Sequence, residues 1–218
     1  MKESYKTVLE CGFGEITVKK SRCIATIYPI ETEESAINLI EGLKKKYCDA
    51  SHNCSAYIIG TTQPVMRCSD DGEPSKTAGR PMLDVLLGQE LTNLVAVVTR
   101  YFGGTLLGTG GLVKAYQGAV IEGLNNTKII TKELGIQLKI NTDYNMIGKL
   151  QYLVGQEQIT ILSSVYTDQV ELTLLVPPSK MEYLTKKIAE LTNGSATLVL
   201  AGQVYFTILN GEVHLFSD

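Results

Sequence analysis

A chain of 218 residues, 44% apolar and 20% charged, has the composition of a globular protein that buries one large core or two small ones, which excludes wholesale disorder. Its 20 Lys and Arg against 23 Asp and Glu leave a net charge of −3, so the chain as a whole lacks the basic excess of a protein that holds nucleic acid mainly by counterion release. No apolar stretch approaches the roughly 18 residues of a membrane span, and the lysine-flanked start lacks the apolar region of a signal peptide, so the expectation is a cytoplasmic protein with no membrane partner.

The predicted elements fall into two halves. In the first, residues 16–18 and 23–30 read as strands separated by a Lys-Lys-Ser-Arg turn. Residues 32–47 read as a helix, with Ala36, Leu39, Ile40, Leu43 and Tyr47 forming an apolar stripe, acids in the first turn and Lys44, Lys45 and Lys46 in the last. Strands over 55–59 and 64–68 lead into a polar loop, 69–79. A helix over 82–87, a strand over 94–99, a glycine-rich segment and a helix over 112–124 complete this half.

Asn125-Asn126-Thr127 interrupts the pattern, and a second unit follows: strand 132–140, helix 143–154, strands 158–165 and 169–176, helix 179–192 and strand 196–209. Pro177 and Pro178 stand where a helix start tolerates proline, and Asn193-Gly194 where a helix ends. This βαββαβ order is the split-βαβ, ferredoxin-like pattern. The first 130 residues balance 14 Lys and Arg against 14 Asp and Glu, and the rest carry 6 against 9, so any nucleic-acid contact is expected in the first half.

The five cysteines, 11, 23, 48, 54 and 68, are odd in number and contain no Cys-x-x-Cys pair, a pattern of reduced thiols rather than disulfides or a zinc cage. No cofactor and no metal is expected. His52 and Cys54, two apart at a strand start, share a face and could form a base and nucleophile, although a lone buried cysteine is more often core.

The segment VVTRYFGGTLLGTGG, residues 97–111, holds five glycines in nine positions. It is neither a Walker loop, because Thr109 and Gly110 occupy the places of Lys and Ser/Thr, nor a dinucleotide fingerprint, because Val113 stands at the last glycine position. What remains is a glycine-rich turn opening into a helix whose free N–H groups favour an anion, or a tight connection packed on the sheet. The loop SDDGEPSKTAGRP, 69–81, brings Asp70, Asp71 and Glu73 together, suited to acid–base work or a hard cation, with turn and capping roles the more ordinary use of such residues.

The stretches KKSRCIA (19–25), SHNCSAYIIG (51–60), DDGEPSKTAGRPML (70–83) and TRYFGGTLLGTGGLVKAY (99–116) resemble the signatures of the IMPACT/YigZ family. The resemblance covers the whole chain. It implies an α+β protein of two domains: residues 1–128 with the fold of the second domain of small-subunit ribosomal protein five, and 131–218 as a ferredoxin-like βαββαβ domain similar to one in elongation factor G. It implies no established enzyme activity. Eukaryotic members restrain an amino-acid-starvation kinase by competing for its ribosome-associated activator, so the resemblance implies a non-catalytic, translation-linked regulator that binds RNA or a ribosome-associated partner.

The surface so implied comprises Ser21, Arg22, His52, Asp71, Glu73, Ser75, Thr77, Arg100, Tyr101, Gly103, Gly104, Gly110 and Gly111. Two positions depart from the family pattern: Leu106 where lysine is common, and Lys76 where glycine is common. The expected arrangement is one shallow groove between the glycine turn and the acidic loop, with Arg100 projecting into it and Tyr101 and Phe102 as apolar anchors for a protein partner. The competing reading is a small enzyme acting on a phosphorylated metabolite, with Asp71 or Glu73 as base.

Overall fold

The computed structural model describes residues 2–216, a mixed α+β chain that divides into two compact units at Thr131/Lys132. In the first unit β1 (Ser4–Val8) precedes the hairpin of β2 (Gly12–Val18) and β3 (Ser21–Pro29). Lys19 and Lys20 form its two-residue turn, both at positive φ, as the turn's twist demands. Helix α1 (Glu33–Lys46) starts at Thr32, whose hydroxyl accepts from the Ser35 N–H, and carries Glu33 and Glu34 in its first turn and three lysines in its last. Then come β4 (His52–Ile59), β5 (Val65–Ser69), α2 (Gly79–Gly88), β6 (Leu94–Tyr101) and α3 (Thr109–Asn125).

The five-stranded sheet runs β2-β3-β6-β4-β5, antiparallel throughout. Its central strand, β6, is buried on both faces, which is why it reads as an unbroken apolar run. Val95 and Val97 pack with Ala36 and Leu43 of α1, while Leu94, Ala96 and Val98 join α2 and α3 in the main core. The period of two extends that second face to Arg100. Arg100 is paired across the sheet with Cys23 on one side and His52 on the other. A buried strand therefore delivers an arginine to the end of the apolar core, beneath the start of α3.

The second unit follows the order strand (β7, Ile129–Thr142), α4 (Ile147–Gln156), β8 (Thr160–Tyr166), β9 (Val170–Val176), α5 (Met181–Leu191), β10 (Thr197–Leu209), which is the expected βαββαβ succession. Its strands lie in the order β10-β7-β9-β8, and Leu138 and Ile140 of β7 and Leu172 and Leu174 of β9 meet Leu150, Val154, Leu184 and Ile188 of the helices. Two differences from the expected elements have local causes. Helix α4 starts later than 143 because the Asp143 carboxylate accepts from the Asn145 and Met146 N–H groups, holding that stretch as a turn. A further strand, β11 (Glu212–Phe216), returns along β10 through Asn210-Gly211, both at positive φ.

Candidate functional site

The loop between β5 and α2 is organised by Asp70. Its carboxylate accepts from the Lys76 N–H at 2.8 Å and from Ala78 and Gly79 at 3.0 and 2.8 Å, which caps α2 from outside the helix and starts it earlier than its apolar pattern indicates. Partial burial alone would raise the Asp70 carboxyl, but the backbone N–H groups of Lys76, Gly79 and Ala78 together hold it below its ordinary value. Lys76 has φ of 64°, a left-handed backbone that glycine adopts without strain.

The loop then delivers Glu73 into the core, and one of its oxygens, Oε1, receives two donors. Arg100 Nη1 donates at 2.6 Å and the Tyr116 hydroxyl at 2.7 Å. The side chains of Arg100 and Glu73 are only 6% and 3% exposed. A charge pair that deep is held by mutual compensation: removing either partner leaves the other as an uncompensated buried charge. Arg100 Nη2 lies 3.5 Å from the Ser21 hydroxyl, the ring of Phe102 stands 5.8 Å from the guanidinium carbon, and Nε has no hydrogen-bond partner. His52 completes the group, with Nε2 3.8 Å from Glu73 Oε2 and Nδ1 2.9 Å from the Asp71 carbonyl oxygen. Because a carbonyl only accepts, Nδ1 is the donor in that contact.

Above this network lies a cavity of about 540 Å³. His52, Glu73 and Arg100 border its polar side, and Phe102, Leu106, Leu107 and Leu112 its apolar side, with Gly108 and Thr109 at the start of α3. Gly108, the residue before α3, has φ of 72° and places no side chain over the helix end. The first intrahelical bond runs from the Leu112 N–H to the Gly108 carbonyl at 2.9 Å, which leaves the first-turn N–H groups of Thr109, Gly110 and Gly111 without a helical acceptor.

Of the thirteen residues expected to share one groove, His52, Glu73 and Arg100 border this cavity. Arg100 does not project freely into it: burial and the Glu73 carboxylate hold its guanidinium in the floor. Ser21 is buried and accepts from the Gly103 N–H at 3.1 Å, and a Cβ on Gly103 would stand 2.0 Å from the Lys20 carbonyl carbon, so that glycine answers to close packing on the β2–β3 turn. Gly104 turns the chain with φ of 82°. Gly110 and Gly111 lie in the first turn of α3, outside the residues bordering the cavity.

The others lie elsewhere. Arg22 pairs with Glu15 on the β2–β3 surface, and its guanidinium carbon stands 5.9 Å from the Tyr101 ring, whose hydroxyl donates to Asp49. The Asp71 carboxylate accepts from the Asn53 N–H at 2.7 Å and pairs with Lys44. Thr77 donates to the Pro74 carbonyl, and Ser75 is exposed. Tyr116, buried on α3, and the apolar wall at Leu106, Leu107 and Leu112 were not anticipated as site residues. A tyrosine in an otherwise apolar helical face, whose hydroxyl must find a partner once buried, was the available signal.

Cys54 is no ready nucleophile. Its thiol donates to the Asp70 carbonyl, and burial pushes it up to about 12, while burial likewise raises Tyr116 far above the usual phenol range. Among the described residues no helix is long and apolar enough to cross a membrane.

Sequence comparison agrees with this division. The Impact N-terminal domain matches residues 19–124, and a domain of unknown function, DUF1949, matches 140–195. IMPACT family member YvyE of Bacillus subtilis is 40% identical over 198 residues, 91% of either chain, and IMPACT family member YigZ of Escherichia coli is 36% identical over 84% of this chain and 90% of its own. A crystal structure of a hypothetical protein, 33% identical, superposes with a TM-score of 0.58 over 93% of this chain and 99% of that one. The class is a two-domain α+β chain that pairs an Impact N-terminal domain with a DUF1949 domain. The chain belongs to the IMPACT family.

Proposed function

We propose that this chain is a non-catalytic, translation-linked regulator whose cavity binds a ribosome-associated protein. Membership of the IMPACT family supports the translation-linked part of the reading. The observation that carries the rest is the pairing of the cavity's charges. Arg100 and Glu73 neutralise one another in the floor, while the wall is Phe102, Leu106, Leu107 and Leu112. A general base must reach a substrate proton. Glu73 is buried under two donors, Asp71 is held by Asn53 and Lys44, and the Cys54 thiol is pushed up to about 12. RNA backbone is gripped by cations free to displace counterions. The arginine bordering this cavity is already paired, and the wall's aromatic residue, Phe102, is of the kind enriched where proteins recognise one another.

The test is capture with full-length protein from ribonuclease-treated extract, comparing wild type with the double substitution Phe102→Ser and Leu106→Asp. A stoichiometric ribosome-associated protein retained by wild type and lost by the variant is the expected result. Binding of purified RNA with a steep salt dependence that the double variant leaves unchanged, or turnover of a phosphorylated metabolite abolished by Glu73→Gln, would overturn the reading.

A further inference from the structure

The polar floor of the cavity holds an acceptor that no hydrogen bond of the chain satisfies. Both donors that reach the Glu73 carboxylate, Arg100 Nη1 and the Tyr116 hydroxyl, go to Oε1. Oε2 receives neither, and His52 Nε2, at 3.8 Å, stands beyond hydrogen-bond reach. Among the described residues, the buried side-chain atoms both sealed from solvent and unpartnered are Arg100 Nε and Thr142 Oγ1, so Oε2 keeps an opening. Glu73 and His52 both border the cavity, which is the open space beside that oxygen. The Glu73 side chain is only 3% exposed, and a carboxylate oxygen so deep is costly to leave without a donor.

The surroundings select the donor. Arg100 already balances the Glu73 charge at 2.6 Å, and the positive end of the α3 dipole lies at Gly108 and Thr109 on the same cavity, so a second cation is disfavoured there. The donor is therefore neutral. The wall of Phe102, Leu106, Leu107 and Leu112 asks for an apolar body, and two of these, Phe102 and Leu106, are 49% and 82% exposed. Among side chains that join a large apolar body to a donor, tryptophan alone brings no lone pair that needs a donor in return. It is also among the residues enriched as interface anchors. Resting on the reading of the cavity as a protein-recognition site, we infer that its occupant is a tryptophan side chain of the partner. The indole N–H donates to Glu73 Oε2, and the ring packs against Phe102, Leu106, Leu107 and Leu112. A cavity of about 540 Å³ is within the size of a ligand pocket. This chain contains no tryptophan, so the anchor comes from another protein and not from a second copy.

The absence of tryptophan from the chain makes the anchor its own reporter. Full-length protein is added to the acetylated, amidated peptide Gly-Ser-Trp-Ser-Gly, whose indole emission should shift to the blue as the ring leaves water. A second peptide carries benzothienylalanine, in which sulfur replaces the indole N–H without changing the ring's shape, and a third carries lysine. In competition the sulfur isostere should bind about tenfold more weakly, a loss of about 1.4 kcal/mol for one hydrogen bond to a charged acceptor, and the lysine peptide should not compete. Leu106→Asn, at an exposed position where substitution spares the fold, should weaken the tryptophan and benzothienyl peptides alike. Glu73→Gln, with its fold checked by circular dichroism, places an amide N–H₂ where Oε2 stood and should erase the preference for tryptophan. If that variant does not fold, the comparison of the two isosteres on the wild-type protein decides alone. Equal affinity for the two isosteres, competition by the lysine peptide, indole emission unmoved at millimolar protein, or binding indifferent to Leu106 would overturn the inference. A ribosome-associated protein still captured through Phe102 and Leu106 in that event would leave the broader protein-recognition reading standing.

Discussion

Replacing Glu73 by glutamine isolates the charge pair at the cavity floor. Glutamine keeps the side-chain volume and an oxygen able to accept from Tyr116, but it leaves the Arg100 guanidinium buried at 6% exposure without its carboxylate. Breaking a buried pair by removing one partner costs about 3–5 kcal/mol. In a unit of this size that corresponds to a fall of about 10–20 °C in its thermal midpoint. The double substitution Glu73→Gln, Arg100→Met removes both charges and should recover about half of the loss, because replacing both partners of a buried pair is far less costly than removing one. The chain has no tryptophan, so urea unfolding is followed by far-UV circular dichroism, with amide exchange in β6 and α3 assigning the transition to the first unit. A single-variant loss below about 1 kcal/mol would refute the reasoning, since it would mean the pair is solvated as a surface pair is.

Asp70→Ala removes three backbone contacts at once and should destabilise the first unit by roughly 2–3 kcal/mol, read by the same urea curves. Because the folded Asp70 carboxyl lies below its ordinary 3.8, its contribution is complete above that value and fades as pH falls through the lower folded one; Asp70→Asn should flatten the acid limb of stability against pH. Gly103→Ala should cost about 3 kcal/mol or more, measured as a lost thermal midpoint, because the added Cβ meets the Lys20 and Ser21 backbone and not a movable side-chain end. Thiol labelling of the native protein at pH 8 should modify exposed Cys48 rapidly and leave Cys23 and Cys54 untouched until unfolding, since burial pushes them up to about 11 and about 12.

The helices were legible where local chemistry sets them: Thr32, the acids after it and the lysines at 44–46 give both ends of α1. The early start of α2 was not, because its capping carboxylate, Asp70, sits eight and nine residues away in sequence from the N–H groups it satisfies. Strand β11 was missed although Asn210-Gly211 is a strong hairpin signal. At the site, the residue types were legible and their pairing was not. Arg100 lies 27 residues from Glu73, and their meeting depends on the loop that Asp70 folds and on Tyr116 arriving from α3. An arginine before a glycine turn therefore reads in sequence as a free cation, whereas the fold buries it against a carboxylate.

The salt dependence of association with purified ribosomes, for wild type and Leu106→Asp side by side, tests the central claim most directly. Recognition of a ribosome-associated protein through the apolar wall predicts a nearly flat plot of log affinity against log salt and at least a tenfold loss in the variant, about 1.4 kcal/mol. A slope of several charges that Leu106→Asp leaves unaltered would contradict it, since such a slope is the signature of phosphate contacts.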